Sequence, residues 1–435
     1  MSVNRPAALT EVVGNLHEVE VSWPDHFGHV LGQRIPAERF PERASGLGFP
    51  FPDGLFAMNA DAEVQFDARQ ANWDTGYANV YALPDMDTLR PLPWRDRVGH
   101  VVADIVDRHG EPVATSPRAV LRRMVDRLAG LGFEAFVGVE YEFYLLDADG
   151  SLLHDDIHAH SLERANLLEP VIGEFSGPLR QFVPVEKMQT EYGPGQVEIN
   201  LVHQTALTAA DDAFRLRYAV RETARRAGLL ATFMAKPFTG FSGSSCHVHI
   251  SLWRQGEPAF TPEEDRESAE ARNAIAGVLR HLPALTLFGA PTVNSYKRYM
   301  KNSFAPTTVT WGGDNRTGAV RSLVGAPGDS RFELRTPGAD ANPYWAIAAV
   351  LAAMISGIED DAQPPPRGVG YLYGDEHLLP GTLGEALAAT RADPALIEML
   401  GDDAVHDYLV VTESEWRAYT TQVTAWELDR YLKRA

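Results

Sequence analysis

Glutamates recur inside stretches of this chain that otherwise read as apolar strands, and that recurrence constrains the fold more than any other feature. In EYGPGQVEINLV, Glu191 and Glu198 flank a Gly-Pro-Gly turn that leads into an apolar strand. A carboxylate on a strand that faces a core is costly unless it is paired or bound to a metal, so Glu198 needs a partner. In VGVEYEFYLL, Val139, Tyr141, Phe143 and Leu145 alternate with Glu140 and Glu142, and period-two geometry puts both carboxylates on one face. The same alternation groups His247, His249 and Ser251 in CHVHISLW, and Arg331, Glu333 and Arg335 in RFELR. Four separated strands thus each carry an ionisable face opposite an apolar one, which predicts one shared charged cleft.

The chain of 435 residues is 45% hydrophobic and 23% charged, enough to bury one or two sizeable cores. Its 39 Lys and Arg against 59 Asp and Glu give a net charge of -20, which argues against nucleic acid or an anionic membrane as the main partner. Any anionic substrate must then be met by local arginines. The single cysteine, Cys246, excludes an intrachain disulfide framework and suits a reducing cytosol. Its place beside His247 raises a nucleophile reading, which ranks low. The N-terminal stretch lacks a basic region followed by an apolar run, and no segment approaches eighteen uninterrupted apolar residues, so a cytoplasmic protein is expected.

Residues up to about 110 are rich in Gly, Pro and aromatics; HEVEVSW and ANVYALP read as strands and FPFPDG as a turn. This predicts a small β-rich domain, with a boundary near Glu111. SPRAVLRRMVDRLAGLGF carries helix start and stop signals. The acidic segment DADGSLLHDDIHAHSLERANLL reads as a loop; His154, His158 and His160 match no compact metal-ligand spacing. TALTAADDAFRLRYAVRETARRAGLL reads as an amphipathic helix, ATFMAKPF as a strand and SAEARNAIAGVLRHLPALTLFG as a helix. NSYKRY and GGDNRTGAVRSL read as turns, NPYWAIAAVLAAMISGIED as a buried helix, and the C-terminal part as further helices.

Glu140, Glu142, Glu191, Glu198, Glu333 and His247 form an oxygen-dominated ligand set that suits Mg²⁺ or Mn²⁺ over zinc. Six side-chain ligands are too many for one Mg²⁺ that keeps its waters, so two ions are expected. Arg298, Arg316, Arg321, Arg331 and Arg335 stand near them in sequence, and guanidinium groups beside a carboxylate-bound metal pair are what phosphoryl transfer requires. No GxxxxGK[ST] loop or dinucleotide fingerprint is present. Residue types alone also leave open a two-metal hydrolase.

In order, VGVEYEF, EYGPGQVEI, ATFMAKP, GSSCHVHISL, PTVNSYKRY, APTTVTWGGDNRTGAVR and RFELRTPGADANPYW resemble the signature segments of the glutamine synthetase family. The resemblance implies an α+β fold: an N-terminal β-grasp domain (residues 1–110) and a C-terminal catalytic domain (111–435) whose antiparallel strands form a funnel surrounded by helices. It implies active sites completed between subunits of stacked rings, with a dodecamer expected. Carried over by motif, Glu142, Glu191 and Glu198 would hold one metal, and Glu140, His247 and Glu333 the other. Gly243, Arg298 and Arg335 would hold glutamate, with Glu142 and His247 bordering the substrate. His249, Ser251, Arg316 and Arg331 would serve ATP; Arg316, Arg321 and Glu333 would act in catalysis. The implied reaction passes the γ-phosphoryl group to glutamate, and an amine then displaces phosphate.

The chain also departs from the family's pattern. Phe304 stands where ammonia-using members place a glutamate, and Asn79 where they place an aspartate. The Asn of the Asn-Gly pair before the metal histidine is Ser242, and a third ammonium-site aspartate, normally in a DGSS segment, has no clear counterpart, Asp53 not being aligned to it. Phe304 cannot attract or deprotonate an ammonium ion, so the leading expectation is a glutamate:amine ligase for a monoamine with an alkyl or aryl group. The alternatives are an ordinary glutamine synthetase, a γ-glutamylpolyamine synthetase and a catalytically silent relative.

Overall fold

In a computed structural model, residues 6–434 are described except 157, 158, 263 and 265; His158 lies outside the described residues. Among them, a first, six-stranded sheet comprises β1 (Glu18–Pro24), β2 (Val30–Pro36), β3 (Phe49–Pro52), β4 (Asn79–Pro84), β5 (Arg90–Pro91) and β6 (Val98–Val106). Its order is β2-β1-β6-β4-β3, with β5 beside β6; β1 and β6 run parallel and the other pairs antiparallel. Helices α1 (Pro6–Val13) and α2 (Phe40–Ala44) accompany it, and Val19, Val21, Trp23, Phe40, Phe51 and Val101 belong to its own core. FPFPDG is therefore not simply a turn. Phe49 and Phe51 point inward, Pro50 and Pro52 outward, so the stretch forms β3 at the edge of the sheet, where prolines need donate no ladder bond.

Helix α3 (Pro117–Gly130) opens with Pro117 after Ser116 and leads into β7 (Glu134–Asp147), the central strand of a second, ten-stranded sheet. Part of the acidic segment read as a loop is helical: α4 (Leu162–Leu167), capped by Ser161, precedes α5 (Glu169–Ser176). Strands β8 (Val185–Thr190), β9 (Gln196–Leu201) and β10 (Gln204–Thr205) follow, then α6 (Ala206–Arg226). ATFMAKPF is strand only at its start, in β11 (Leu229–Thr232); Phe233 onward leaves the sheet. Next come β12 (Cys246–Arg254), β13 (Glu257–Pro258) and α7 (Ala269–Gly289). GGDNRTGAVRSL is only partly turn, since its ends belong to β14 (Trp311–Gly313) and β15 (Val320–Leu323), ahead of β16 (Arg331–Leu334). The sheet runs β14-β15-β16-β12-β7-β9-β8, with β10 and β11 on β7 and β13 on β12. Its pairs are antiparallel except β14 with β15.

Helix α8 (Pro343–Glu359) is capped by the Asn342 side chain on the Tyr344 amide and is buried nearly throughout. Helices α9 (Leu383–Arg391), α10 (Pro394–Leu400), α11 (Asp402–Thr421) and α12 (Ala425–Tyr431) close the chain. Among the described residues no helix is long and apolar enough to cross a membrane. The back of the second sheet packs on α3, α6, α7 and α8, with the odd-numbered residues of β7 turned into that core. Helix α6 is less amphipathic than its sequence suggests, because Asp211, Asp212, Arg215 and Arg217 are buried. Arg118 on α3 accounts for part of this: it is 1% exposed and donates to Asp211, Asp104 and Asp85 at 2.5–3.0 Å, a paired charge cluster joining the two sheets' surroundings.

Candidate active site

Strand register sets the ionisable residues side by side. Across the sheet, Glu142 on β7 pairs with Glu198 on β9, which pairs with Gln189 on β8. Two residues along β7, Glu140 lies between Asn200 on β9 and His247 on β12. His249 pairs with Glu333 on β16, and Glu333 with Arg321 on β15. The alternation that turned Val139, Tyr141 and Phe143 into the core turned these side chains to the opposite face, so one front surface collects the charge.

One half of this surface joins carboxylates to histidines and arginines. Glu140 Oε1 stands 3.1 Å from His249 Nε2 and accepts from Asn200 at 2.5 Å, while Glu140 Oε2 and Glu333 Oε1 each lie 3.4 Å from His247 Nδ1. Glu333, 1% exposed, accepts from Arg335 at 2.5 Å and Arg321 at 3.1 Å. Burial opposes its charge, but His247 and Arg335 prevail and hold its pKa at about 2. Burial likewise opposes the charge of Glu140, and His247 and His249 draw its pKa below the ordinary carboxylate range.

The donor atoms of Glu140, His249 and Glu333 lie within 4.8 Å of one another. The two histidines differ, however. Arg331 Nε donates to His249 Nδ1 at 3.2 Å, which leaves the proton of a neutral imidazole on Nε2 and makes that nitrogen a donor into the cleft. Its Nε2 is buried and faces Glu140 Oε1 at 3.1 Å. His247 faces both carboxylates through Nδ1 at 3.4 Å but is not in the group whose ligand atoms converge.

The other half is almost wholly acidic. Glu142 accepts from the Ser245 amide at 3.1 Å, the Ser245 hydroxyl and Gln196 at 3.2 Å. Gln189 Nε2 bridges Glu191 and Glu198 at 3.1 and 3.0 Å. Burial, then the Glu142 charge, pushes Glu191 up to about 7; burial, then Glu140, Glu142 and Glu191, pushes Glu198 up to about 9. One amide cannot offset three converging carboxylates. A divalent cation does so, and an all-oxygen donor set is what Mg²⁺ or Mn²⁺ takes, so the residues fit that group.

At one end, Gly243 touches Arg298: a Cβ on Gly243 would lie 2.5 Å from Arg298 Cγ and 2.7 Å from the Ala235 carbonyl, so no larger residue fits. Arg298 is 4% exposed and donates to Thr336 O, with Nε unpartnered; Arg335 Nε is likewise orphaned, its Nη2 donating to Phe304 O at 3.2 Å. Phe304 is 52% exposed and stacks on Tyr192, ring centroids 6.2 Å apart, beside Glu191. Ser251, further along β12, accepts from Trp253.

Other expected residues are not gathered in. Arg316 is exposed in the turn after β14, and Arg331 reaches the cleft only through His249. Asn79 begins β4 in the first sheet, opposite Pro52. Beside it stands a carboxylate the sequence did not single out in this role: Asp53, 3% exposed, whose amide donates to Ala78 O and whose Oδ1 has no partner. Burial pushes its pKa up to about 6. Gln189, Gln196 and Asn200 also escaped the sequence reading, although Gln196 and Asn200 share the alternation of Glu198. Cys246 is buried on the core side, its thiol pushed up to about 12, and is no nucleophile. His154 and His160 enter no metal-type group among the described residues.

The fold and this cleft define a mixed helix-and-sheet enzyme built to bring anionic substrates to clustered carboxylates and arginines. Residues 114–431 match the family model described as glutamine synthetase, catalytic domain. The chain is 33% identical over 437 residues to a glutamate–isopropylamine ligase of Pseudomonas sp, covering 96% of this chain and 95% of that protein. It is 35% identical to the gamma-glutamylethanolamide synthetase GlnA4 of Streptomyces coelicolor (97% and 94% covered) and 34% identical to a glutamine synthetase of Pyrococcus abyssi (95% and 96%). A solved structure titled GmaS/ADP complex superposes with a TM-score of 0.87 at 32% identity, covering 99% of each chain. The chain belongs to the glutamine synthetase family and is an ATP-dependent carbon–nitrogen ligase.

Proposed function

We propose that this ligase joins the γ-carboxylate of glutamate to an amine other than ammonia, through a γ-glutamyl phosphate, and that the amine is a monoamine bearing an alkyl or aryl group. The observation that carries this reading is the exposed Phe304–Tyr192 pair at the edge of the carboxylate face, beside Glu191 and Arg335. It offers apolar area and π faces where an ammonium site needs a carboxylate. Burying one or two alkyl carbons there contributes roughly 1 to 2 kcal/mol. Ligases named for isopropylamine and ethanolamide among the relatives support it.

In this reading Gly243, Arg298 and Arg335 hold glutamate, the orphaned Nε–H groups of both arginines giving its carboxylates donors in a dry setting. The Nε2–H of His249, Ser251, Arg316 and Arg331 serve ATP. Arg321 and Arg335, both held on Glu333, stand ready for charge that builds on the transferring phosphoryl group. Glu142, Glu191 and Glu198 would hold one Mg²⁺ or Mn²⁺ and Glu140, His247 and Glu333 the other. When bound, these ions offset phosphate charge and polarise the phosphoryl oxygens.

The chain itself divides, in this proposal, into a β-grasp domain (1–110) and a catalytic domain (111–435), and acts in a stacked-ring homo-oligomer. Separate cores and sheets on either side of α3 support the division. Asn79 starts a strand of the first sheet and Asp53 directly follows β3, so they would reach an amine in a neighbouring copy's cleft.

Asp53 also favours a second reading, an ordinary glutamine synthetase, because a buried carboxylate with a free oxygen is a proton acceptor for ammonium. The test is catalytic efficiency for ammonium, a short alkylamine, an aromatic amine and putrescine, in wild type and Phe304→Glu. The alkylamine or aromatic amine is expected to lead, and Phe304→Glu to move preference toward ammonium. Ammonium as the best of the four, or an unchanged preference in the variant, would sink the proposal.

A further inference from the structure

Behind the second sheet, on the face opposite the carboxylates, a cavity of about 230 Å³ opens between α6, β11, the loop after β1 and the turn before Arg298. Its walls are unlike those of a plain packing void. Phe27, Ala231 and Phe233 give it apolar sides, while Arg217 and Arg221, one helical turn apart on α6, both reach it. Their guanidinium carbons lie 5.7 and 5.2 Å from the Phe233 ring centroid.

Two arginines and two carboxylates line the cavity, but Arg221 is left without an ion-pair partner among the described residues. Arg217 is 3% exposed; one of its nitrogens donates to Ala341 O at 2.9 Å, and its buried Nε has no partner. Arg221 is half-buried and makes no hydrogen bond or ion pair among the described residues. Burial first, and then the Arg217 charge, lower its pKa to about 10. The two carboxylates are Asp340, which lies beside the Arg217 charge and whose Oδ1 is buried without a partner, and Glu415. Asp340 Oδ2 accepts from Thr292 at 2.7 Å and Ser295 at 2.6 Å, and Glu415 Oε1 accepts from the Ala60 amide at 3.0 Å. In a chain of net charge -20, carboxylates are abundant, yet none pairs with Arg221. A half-enclosed guanidinium pair over an aromatic ring, with apolar walls, has the donor geometry for a planar anion that carries a small carbon skeleton.

We propose that this cavity is a second ligand site, for a small organic carboxylate, distinct from the carboxylate cleft. Its wall continues into the machinery of that cleft. Thr292 and Asn294 line it, and Asn294 exchanges hydrogen bonds of 2.8 and 3.0 Å with the backbone of Lys236. Arg298, four residues after Asn294, packs on Gly243. An occupant that shifts the Thr292–Ser295 turn or Asp340 therefore changes the position of Arg298, and with it the affinity for glutamate. That last consequence rests on the proposed glutamate role of Arg298; the binding itself does not.

The test is calorimetric titration of the full-length enzyme with malonate in the absence of glutamate, the Arg221-dependent part of the binding separating this cavity from the cleft arginines. Saturable binding is expected, weakened by about tenfold or more in Arg221→Gln and less in Arg221→Lys, which keeps the charge. Malonate should also protect the Arg221 peptide of the wild-type enzyme from phenylglyoxal, a readout that does not depend on a variant folding. On wild type alone, malonate should change the KM for glutamate, and Arg221→Gln should abolish that change. No saturation by about 10 mM, binding undiminished in Arg221→Gln, or an unprotected Arg221 peptide overturns the proposal. Titration with inorganic phosphate is the control for ligand class: Arg221-dependent binding of phosphate without binding of malonate overturns the carboxylate assignment. Because the titration needs no turnover, its failure is separable from failure of the ligase reading.

Discussion

Glu191 and Glu198 show how a single residue can report a missing partner. Their pKa values, pushed up to about 7 and about 9, exceed the 4.5 of an unperturbed glutamate. Between those limits the folded chain binds more protons than the unfolded one. The stability these groups contribute is complete below the unfolded value and is lost as pH rises through about 7 and then about 9. Bound cations compete with those protons. The metal-free enzyme is therefore expected to melt at progressively lower temperature as pH rises across this window, with added Mn²⁺ raising the melting temperature more at the alkaline end. A melting series that is flat with pH and indifferent to Mn²⁺ would refute this. Glu333 lies at the other extreme, ionised, buried and clamped by two arginines. Glu333→Ala leaves those arginines without their anion and removes a donor from the metal set. Phosphate release with ATP, Mg²⁺ and glutamate should fall by roughly 10³-fold or more. Near-normal release would remove its assigned role.

At the scale of elements, close packing makes its own demands. Helices α7 and α8 cross at Gly277 and Gly357, where a Cβ on either would overlap the carbonyl of Ala353 or Asn273. Backbone cannot yield there as the end of a side chain could. Gly277→Ala is expected to destabilise by about 1–3 kcal/mol, measured by denaturant unfolding of the metal-free enzyme, whereas Gly130→Ala, where a Cβ meets nothing within 4 Å, should change stability little. Equal effects of the two would show that the helix contact is looser than described. The catalytic elements use the same economy of space: β7 carries core on one face and cleft on the other, so a one-residue slip against β9 or β12 would bury Glu140 and expose Tyr141.

For the whole molecule, surface chemistry points to company. Trp73 is 71% exposed and stacks on the half-exposed Phe66, and α12 buries none of its residues while Trp426 and Leu432 stand 59% and 71% exposed. Exposed aromatics and leucines of this density suit contact with other copies. Light scattering at micromolar concentration is expected to report a ring-sized assembly, and truncation after Thr424 to reduce its size. A monomeric wild type would contradict the stacked-ring proposal.

Much of the cleft was legible in sequence because strand geometry is local. Alternation assigns Glu140, Glu142, Glu198, His247, His249 and Glu333 to a face without knowledge of the strands' neighbours, and the arginines follow from the charge those residues need to meet. Helices with clear caps, such as the one after Ser116, were equally plain. What stayed hidden depended on partners distant along the chain. FPFP became a strand because an edge position excuses its prolines, and the acidic stretch hid a helix because Ser161 caps a segment with no buried face. The tautomer of His249 was decided by Arg331, 82 positions away, and the protonation of Glu198 by burial, then by Glu140 and Glu142 on β7 and by Glu191. Alternation and motif were enough to name the candidate side chains and the way each strand turns them. Register, burial and charge at each group came with folding, because they depend on neighbours that folding alone brings within a few ångströms.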